Sequence, residues 1–350
     1  MKKITLIAGT RPELIKLIPV FKAFQSEESI KCDLLLTGQH REMLNQVLKD
    51  FNITDYINLD LMTESQSPTE LLSKILKSFS QINLKADMLI CHGDTLTTLA
   101  VSIYGFFNQI KVGHIEAGLR SNDLHAPWPE EFNRRVVSLG SAYHFCPTSD
   151  AENNLLLEGI AQRNIFVVGN TVLDAVNLIL HGQNQSIELT LDASGKNFKY
   201  NLLVKQYIVI TVHRRESFGA GMKNICEAIR NLSHEYSNID FILPVHLNPN
   251  VANLVRSELY GLNNVYLIKP LSYSKFIPLI SQSQFVLSDS GGLQEEAPYL
   301  GRQVVLMRDK TERPEMVSAG YVKLAGTNVS NINLLFKKAF SERDLYKKSC

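Results

Sequence analysis

Short apolar runs alternate with longer amphipathic stretches along almost the whole chain, and no other feature of the sequence constrains the fold as strongly. Residues 4–8 read as a strand and residues 12 to about 25 as a helix. Strand 32–36 precedes helix 41–51, strand 88–91 precedes helix 95–107, and strands 112–115, 143–146 and 165–168 follow. The order βαβα builds a parallel sheet with helices on both faces. The rhythm breaks between residues 181 and 206, which are rich in Asn, Gln, Ser, Lys and Gly. It resumes with strands at 207–212, 241–245, 265–268, 285–287 and 304–307. The helices between them fall at 222–236, 249–259, 274–282 and from 292, and a final pair closes the chain. The expected fold class is α/β: two Rossmann-like doubly wound domains, 1–180 and 207–350, joined by a connecting segment at 181–206 and facing a central cleft. Ligands in such folds sit at the carboxyl ends of the strands.

A chain of 350 residues, 45% hydrophobic and 20% charged, has material for two cores. Its formal net charge of +1 carries no global basic excess for nucleic acid, so anionic partners must meet local sites. The five cysteines form no Cys-x-x-Cys pair, which favours buried thiols in a reducing compartment over disulfides or zinc. The start, MKKITLIAGT, has too short an apolar run for a signal peptide and is broken at once by Arg11-Pro12-Glu13, so a first strand is expected. No run reaches membrane-spanning length. The expectation is a cytoplasmic protein without nucleic-acid or membrane partners.

Polar residues concentrate where strands end. The clusters are Gly9-Thr10-Arg11-Pro12-Glu13, His92-Gly93-Asp94-Thr95, His114-Ile115-Glu116-Ala117-Gly118, His213-Arg214-Arg215-Glu216 and Ser288-Asp289-Ser290-Gly291-Gly292. A buried sheet has no use for them, and burying them unpaired is unfavourable. Ser290-Gly291-Gly292 opens a helix whose amides suit a phosphate, with Glu296 one turn on to accept bonds from ribose hydroxyls. An ordinary glycine-rich turn is the alternative. Arg11 and Lys16 stand one turn apart after the first strand, where cations meet a diphosphate; surface solvation is the plain reading of either. Asp94, Glu116 and Glu130 are three acids near the ends of successive elements, an acid–base set if they share a pocket. The lesser alternatives are Asp94 as a helix cap alone and Glu130 with Arg134 as a surface ion pair. That second alternative weighs more for Glu131. His213, beside Arg214 and Arg215, favours phosphate contact, whereas His92, His114, His144 and His246 read as structural. No His-Glu-x-x-His spacing occurs, so no metal site is expected. Gly219-Ala220-Gly221 lacks the third glycine of a dinucleotide fingerprint, and no Walker sequence occurs, so no cofactor is expected either.

Seven stretches together resemble the non-hydrolysing UDP-N-acetylglucosamine 2-epimerases. They are GTRPELIKLIPV, TGQHREMLNQVL, HGDTLTTLA, VGHIEAGLRSNDLHAPWPEEFNRR, ITVHRRESFGAGMKNI, PVHLNPNV and SDSGGLQEEAPYLGRQVVLMRDKTERPEMVSAG. The resemblance implies the GT-B arrangement of two Rossmann domains and interconversion of UDP-N-acetylglucosamine with UDP-N-acetylmannosamine. It implies that Arg11, Lys16, His213, Phe276, Ser290, Gly291, Gly292, Glu296 and Arg313 bind the UDP-sugar. It gives Asp94, Glu116 and Glu130 the role of catalytic carboxylates, with Arg134 beside them and His213 assisting. Gln39, His40 and Arg41 resemble part of a second UDP-N-acetylglucosamine site that activates bacterial members, and a homodimer is implied. Compared with the family pattern, the sequence stops at Cys350, short of an Asn-Pro-Tyr-Gly-Asp-Gly region and last helix, and weaker domain coupling is the expectation.

The chemistry narrows the mechanism. The C2 proton of N-acetylglucosamine is not adjacent to a carbonyl, so direct abstraction is too slow. Expelling UDP first builds oxocarbenium character that acidifies C2. A carboxylate then removes the proton, leaving 2-acetamidoglucal, to which UDP re-adds with protonation from the opposite face. The rival readings are a GT-B glycosyltransferase, a hydrolysing epimerase and a catalytically dead nucleotide-sugar sensor. Intact Asp94, Glu116 and Glu130 count against the sensor.

Overall fold

Strand β1 (Lys2–Ala8) runs through the middle of the first sheet, buried from its third residue onward. A computed structural model of the chain describes residues 1–38, 41–63, 66–180, 186–213, 219–311 and 313–346, with the backbone alone at Arg41 and Glu42. Contacts divide the chain into two units, Met1–Leu178 and Ile179–Cys350.

In the first unit β1 leads to α1 (Arg11–Gln25), β2 (Ile30–Leu36), α2 (Arg41–Asp50), β3 (Ile57–Asn58) and α3 (Pro68–Gln81). After them come β4 (Met88–His92), α4 (Leu96–Phe107), β5 (Lys111–Ile115), α5 (Glu130–Gly140), β6 (Tyr143–Cys146), α6 (Ser149–Leu157), β7 (Ile165–Val167) and α7 (Val172–Leu180). The sheet order is β3-β2-β1-β4-β5-β6-β7, every pair parallel. The order reverses between β1 and β4, the point at which doubly wound sheets open a crevice at their carboxyl ends. Gly9 lets the chain pass there, because a Cβ on it would lie 2.1 Å from Thr97 Oγ1.

The second unit begins with a two-stranded antiparallel hairpin, β8 (Ser186–Thr190) and β9 (Asn197–Asn201). Its parallel sheet has the order β12-β11-β10-β13-β14-β15. The strands are β10 (Tyr207–Thr211), β11 (Asp240–Pro244), β12 (Val265–Ile268), β13 (Val286–Ser288), β14 (Val304–Leu306) and β15 (Val322–Leu324). The helices are α8 (Ala220–Glu235), α9 (Pro249–Leu259), α10 (Tyr273–Ser281), α11 (Leu293–Tyr299), α12 (Pro314–Ser318) and α13 (Val329–Tyr346). Here the order reverses between β10 and β13. The two units therefore repeat one winding.

The structure corrects the reading of 181–206 as a plain connection. Along β8 the side chains alternate, with Ile187 and Leu189 buried, and Tyr200 of β9 joins them. With Leu202 they belong to the same core as Tyr207, Val209, Ile242 and Ile268. The hairpin also bonds to the outer strand of the sheet: Lys269 N donates to Thr190 O at 2.8 Å and Asp192 N to Leu267 O at 2.9 Å. Alternation of period two is what a half-buried hairpin requires. The expected pair of terminal helices is present as α12 and α13, with β15 between them. Among the described residues no helix is long and apolar enough to cross a membrane. Cys32, Cys91, Cys146 and Cys226 are free thiols, the last three buried.

Candidate active site

The polar side chains of the first unit gather after β1, β4 and β5, beside the reversal of strand order. Glu116 is the residue after β5, and its backbone is left-handed, with φ +63°. A side-chain-bearing residue in that region costs of order 1–3 kcal/mol and persists only where its surroundings hold it there, and such residues cluster at functional sites. Lys16 of α1 pairs its Nζ with Glu116 Oε2. His92 Nε2, from the end of β4, lies 2.8 Å from the same oxygen. With side-chain exposures of 10% for Lys16 and 12% for Glu116, this is no screened surface pair.

Asp94 follows two residues after β4. The cap of α4 is Thr95, whose Oγ1 accepts from Thr97 N at 3.1 Å, so capping is not the role of Asp94. Its carboxylate instead meets Arg134 of α5, with Nε 2.9 Å and Nη2 2.7 Å from Oδ2. Asn133 Nδ2 donates to the Asp94 carbonyl at 2.8 Å. Arg134 Nη1 reaches Glu131 Oε2 at 3.3 Å. Glu131 is wholly buried and accepts from Ser121 N at 2.9 Å, which corrects its reading as a surface pair. Burial raises its carboxyl, but Ser121, Arg134 and Arg135 together hold it below its usual value. Glu130 opens α5, and among the described residues its buried Oε2 has no hydrogen-bond partner. A surface pair with Arg134 therefore does not describe it.

His114 and His144 are buried as expected. His114 Nε2 lies 2.7 Å from Gly93 O, fixing the loop that carries Asp94. Burial pushes His114 down to about 3 and His144 to about 4, so both are neutral near pH 7.

In the second unit the equivalent reversal brings His213 to Asp289. His213 N donates to Asp289 Oδ2 at 2.7 Å, and its Nδ1 lies 2.9 Å from Oδ1. Asp289 is wholly buried. A carboxylate there holds the proton on Nδ1 and orients the ring. The His246 ring stacks on His213, centroids 5.8 Å apart, so His246 belongs to this cluster. Arg214 and Arg215, like Gln39 and His40, lie outside the described residues, as does the side chain of Arg41.

Ser290 N donates to Ser288 Oγ at 2.8 Å. Gly291 and Gly292 then lead into α11. Gly292 has ordinary helical angles, φ −65° and ψ −35°, and the nearest group to a Cβ on it would be Glu296 Oε2 at 3.9 Å. The backbone does not demand glycine; open space above it is what glycine provides. Glu296 is buried and accepts from Tyr273 OH at 2.8 Å. Arg313 Nε lies 2.8 Å from Glu295 Oε1. Phe276 packs half-buried on the core. Arg11 is half-buried at the start of α1. Among the described residues no three His, Cys, Asp or Glu side chains gather closely enough to hold a metal ion.

Residues 22–349 match the family model described as UDP-N-acetylglucosamine 2-epimerase. The chain belongs to this family. It is 44% identical over 331 residues to a probable UDP-N-acetylglucosamine 2-epimerase of Ralstonia solanacearum, covering 94% of this chain and 88% of that one. It is 43% identical over 348 residues to the UDP-N-acetylglucosamine 2-epimerase of Neisseria meningitidis, covering 99% and 93%. A crystal structure of the Neisseria meningitidis enzyme bound to UDP-GlcNAc superposes with TM-score 0.87 at 41% identity, covering 99% of this chain and 94% of that one. A heptosyltransferase of Escherichia coli, 12% identical with TM-score 0.52, shares the GT-B-like fold alone.

The structure also places beside these candidates five side chains to which the sequence assigns no site role: His92, Asp289, His246, Glu131 and Glu13. His92 and Asp289 stand within polar clusters at strand ends, and that membership is the available signal; His246 lies outside those clusters in sequence and meets His213 only in the fold. Glu131 gave none, because its neighbour Glu130 has the same composition and only the helix phase separates them.

Proposed function

We propose that the chain interconverts UDP-N-acetylglucosamine and UDP-N-acetylmannosamine by anti-elimination and re-addition of UDP. The observation that carries the proposal is the left-handed Glu116, set against Lys16 and His92 next to the Arg134-braced Asp94. UDP leaves with the electron pair of the C1–O bond, and a carboxylate of the Asp94, Glu116 and Glu130 set takes the C2 proton. A C1–C2 double bond results, which is 2-acetamidoglucal. UDP then adds back at C1 while C2 receives a proton on its other face. Such a route needs two differently placed acid–base groups, and three carboxylates can meet that need. His213, oriented by Asp289, together with Arg11 and the amides of Gly291 and Gly292, stabilises the departing diphosphate. Glu296 and Arg313 hold the remainder of the nucleotide.

The wider reading has the product feeding bacterial surface polysaccharide. The enzyme is a cytoplasmic homodimer, and UDP-N-acetylglucosamine also binds at Gln39, His40 and Arg41 as an activator. Proton NMR of the chain with UDP-N-acetylglucosamine in deuterium oxide tests the core of the proposal. Deuterium should appear at C2 of the UDP-N-acetylmannosamine formed, with a slow leak of UDP and 2-acetamidoglucal. Full protium at C2 of an epimerised product would defeat the elimination route. Free N-acetylmannosamine would indicate a hydrolase. An unchanged C2 with no epimerisation would leave a transferase or a sensor.

A further inference from the structure

Glu13 is 2% exposed, yet the sequence reading gave it no role. Its Oε2 accepts from Gly9 N at 3.0 Å and Thr10 N at 2.7 Å. Its Oε1 accepts from Thr95 Oγ1 at 2.6 Å, and Thr98 Oγ1 lies 3.1 Å away, sharing its hydroxyl proton with His92 O at 2.6 Å. A buried carboxylate is tolerated when donors converge on it in this way. The first pair of donors belongs to the loop immediately before Arg11. The second belongs to the cap and first turn of α4, immediately after Asp94.

A local capping box does not account for this arrangement. The box at α3 shows what one requires: Glu70 Oε2 accepts from Ser67 N at 2.8 Å, on the surface and within its own helix. Glu13 performs that duty with one oxygen and reaches across 82 positions of sequence with the other. It therefore joins the two loops that flank the reversal of strand order. Thr95 is fixed from both sides, by Glu13 and by the α4 amides, and Asp94 is its direct neighbour.

We propose that Glu13 is a positioning residue, acting through Thr95 to set the Asp94 carboxylate for proton transfer at C2. The inference rests on the epimerase reading above. Glu13→Gln keeps the size but turns an NH2 either toward the two backbone amides, which cannot accept it, or toward Thr95 Oγ1, which already accepts from Thr97 N at 3.1 Å and Thr98 N at 3.4 Å, so one half of the bridge is weakened in either arrangement. Thr95→Val removes the hydroxyl at constant shape, and Thr95→Ser keeps it.

The test is steady-state epimerisation of UDP-N-acetylglucosamine, measured well below each variant's melting temperature, alongside the melting shift given by UDP. Glu13→Gln and Thr95→Val should each lower kcat by about 10²-fold, the scale of an ångström of misplacement, with KM and the UDP shift near the parent values. Thr95→Ser should restore most of the rate. The double variant should be no slower than the slower single one, because both break the same bridge. Losses that multiply in the double variant, or kcat near the parent in either single one, would overturn the proposal. If Glu13→Gln does not fold, the Thr95→Val and Thr95→Ser pair decides alone. An active parent with an unaffected Glu13→Gln would sink only this inference, whereas an inactive parent would sink the epimerase reading and this inference together.

Discussion

Arg134 grips Asp94 through a single oxygen, with Nε 2.9 Å and Nη2 2.7 Å from Oδ2. A guanidinium fork closing on one oxygen fixes the position of Oδ2 and leaves Oδ1 out of the grip. The third nitrogen of the fork reaches Glu131, which is tied to the Ser121 amide, so α5 braces the acid from behind. Arg134→Lys keeps the charge and loses the fork. We expect kcat for epimerisation to fall by roughly 10²-fold, with the UDP-induced melting shift retained. Parent-like kcat in Arg134→Lys would mean that charge alone is what Asp94 needs.

Asp94→Asn, Glu116→Gln and Glu130→Gln should each reduce turnover by roughly 10² or more, the usual size for acid–base groups. Calorimetry should give UDP affinities close to the parent. Near-native turnover in two of the three would remove the carboxylate set from the mechanism.

UDP alone should stabilise the chain, by about 2.7 kcal/mol at a hundredfold excess over its dissociation constant. Gly292→Val should abolish that shift while the apo melting temperature stays near the parent. The reason is that the nearest group to a Cβ is 3.9 Å away and the backbone angles suit any residue. A full UDP shift in this variant would take the start of α11 out of the nucleotide site.

His114 and His144 give the stability a pH dependence whose sign can be worked out. Their folded values lie near 3 and 4, below the ordinary 6.5, so the unfolded chain binds more protons throughout the interval. Their contribution is complete above pH 6.5. It is lost as pH falls, down to about 4 for His144 and about 3 for His114. The lowered His246 adds in the same direction. Carboxylates such as Glu131 and Glu158 are also lowered, but from 4.5, so the interval from 6.5 to 4.5 belongs to histidine. Urea unfolding at a series of pH values should show stability rising with pH there, and a flat profile would contradict the burial of these rings.

The sheets were legible because their strands are almost pure apolar runs punctuated by polar clusters. Strands at 143–146 and 265–268 and the helix at 249–259 have the bounds read from sequence. Helix α3 went unread although Ser67-Pro68-Thr69-Glu70 is a capping box and Leu71, Ile75 and Phe79 repeat at helical spacing. The strand β15 is too short for any pattern to emerge. In the site, Asp94 and Glu116 stood out because they follow strands. The left-handed turn at Glu116 that delivers its carboxylate to Lys16 and His92 has no signature in residue type. Lys16, read as a diphosphate ligand, pairs with Glu116 for the same reason.

The hairpin 186–201 has a consequence for how the second unit can exist in isolation. Strand β12 is the outermost strand of its sheet, and outer strands offer unpaired amides and carbonyls to other chains. The bonds from Lys269 to Thr190 and from Asp192 to Leu267 occupy part of that row. A fragment begun at Tyr207, the boundary the composition recommends, would uncover β12 and strip Ile187, Leu189, Tyr200 and Leu202 from the core. Such a fragment would be a template for self-association, while one begun at Ile179 carries its own edge guard.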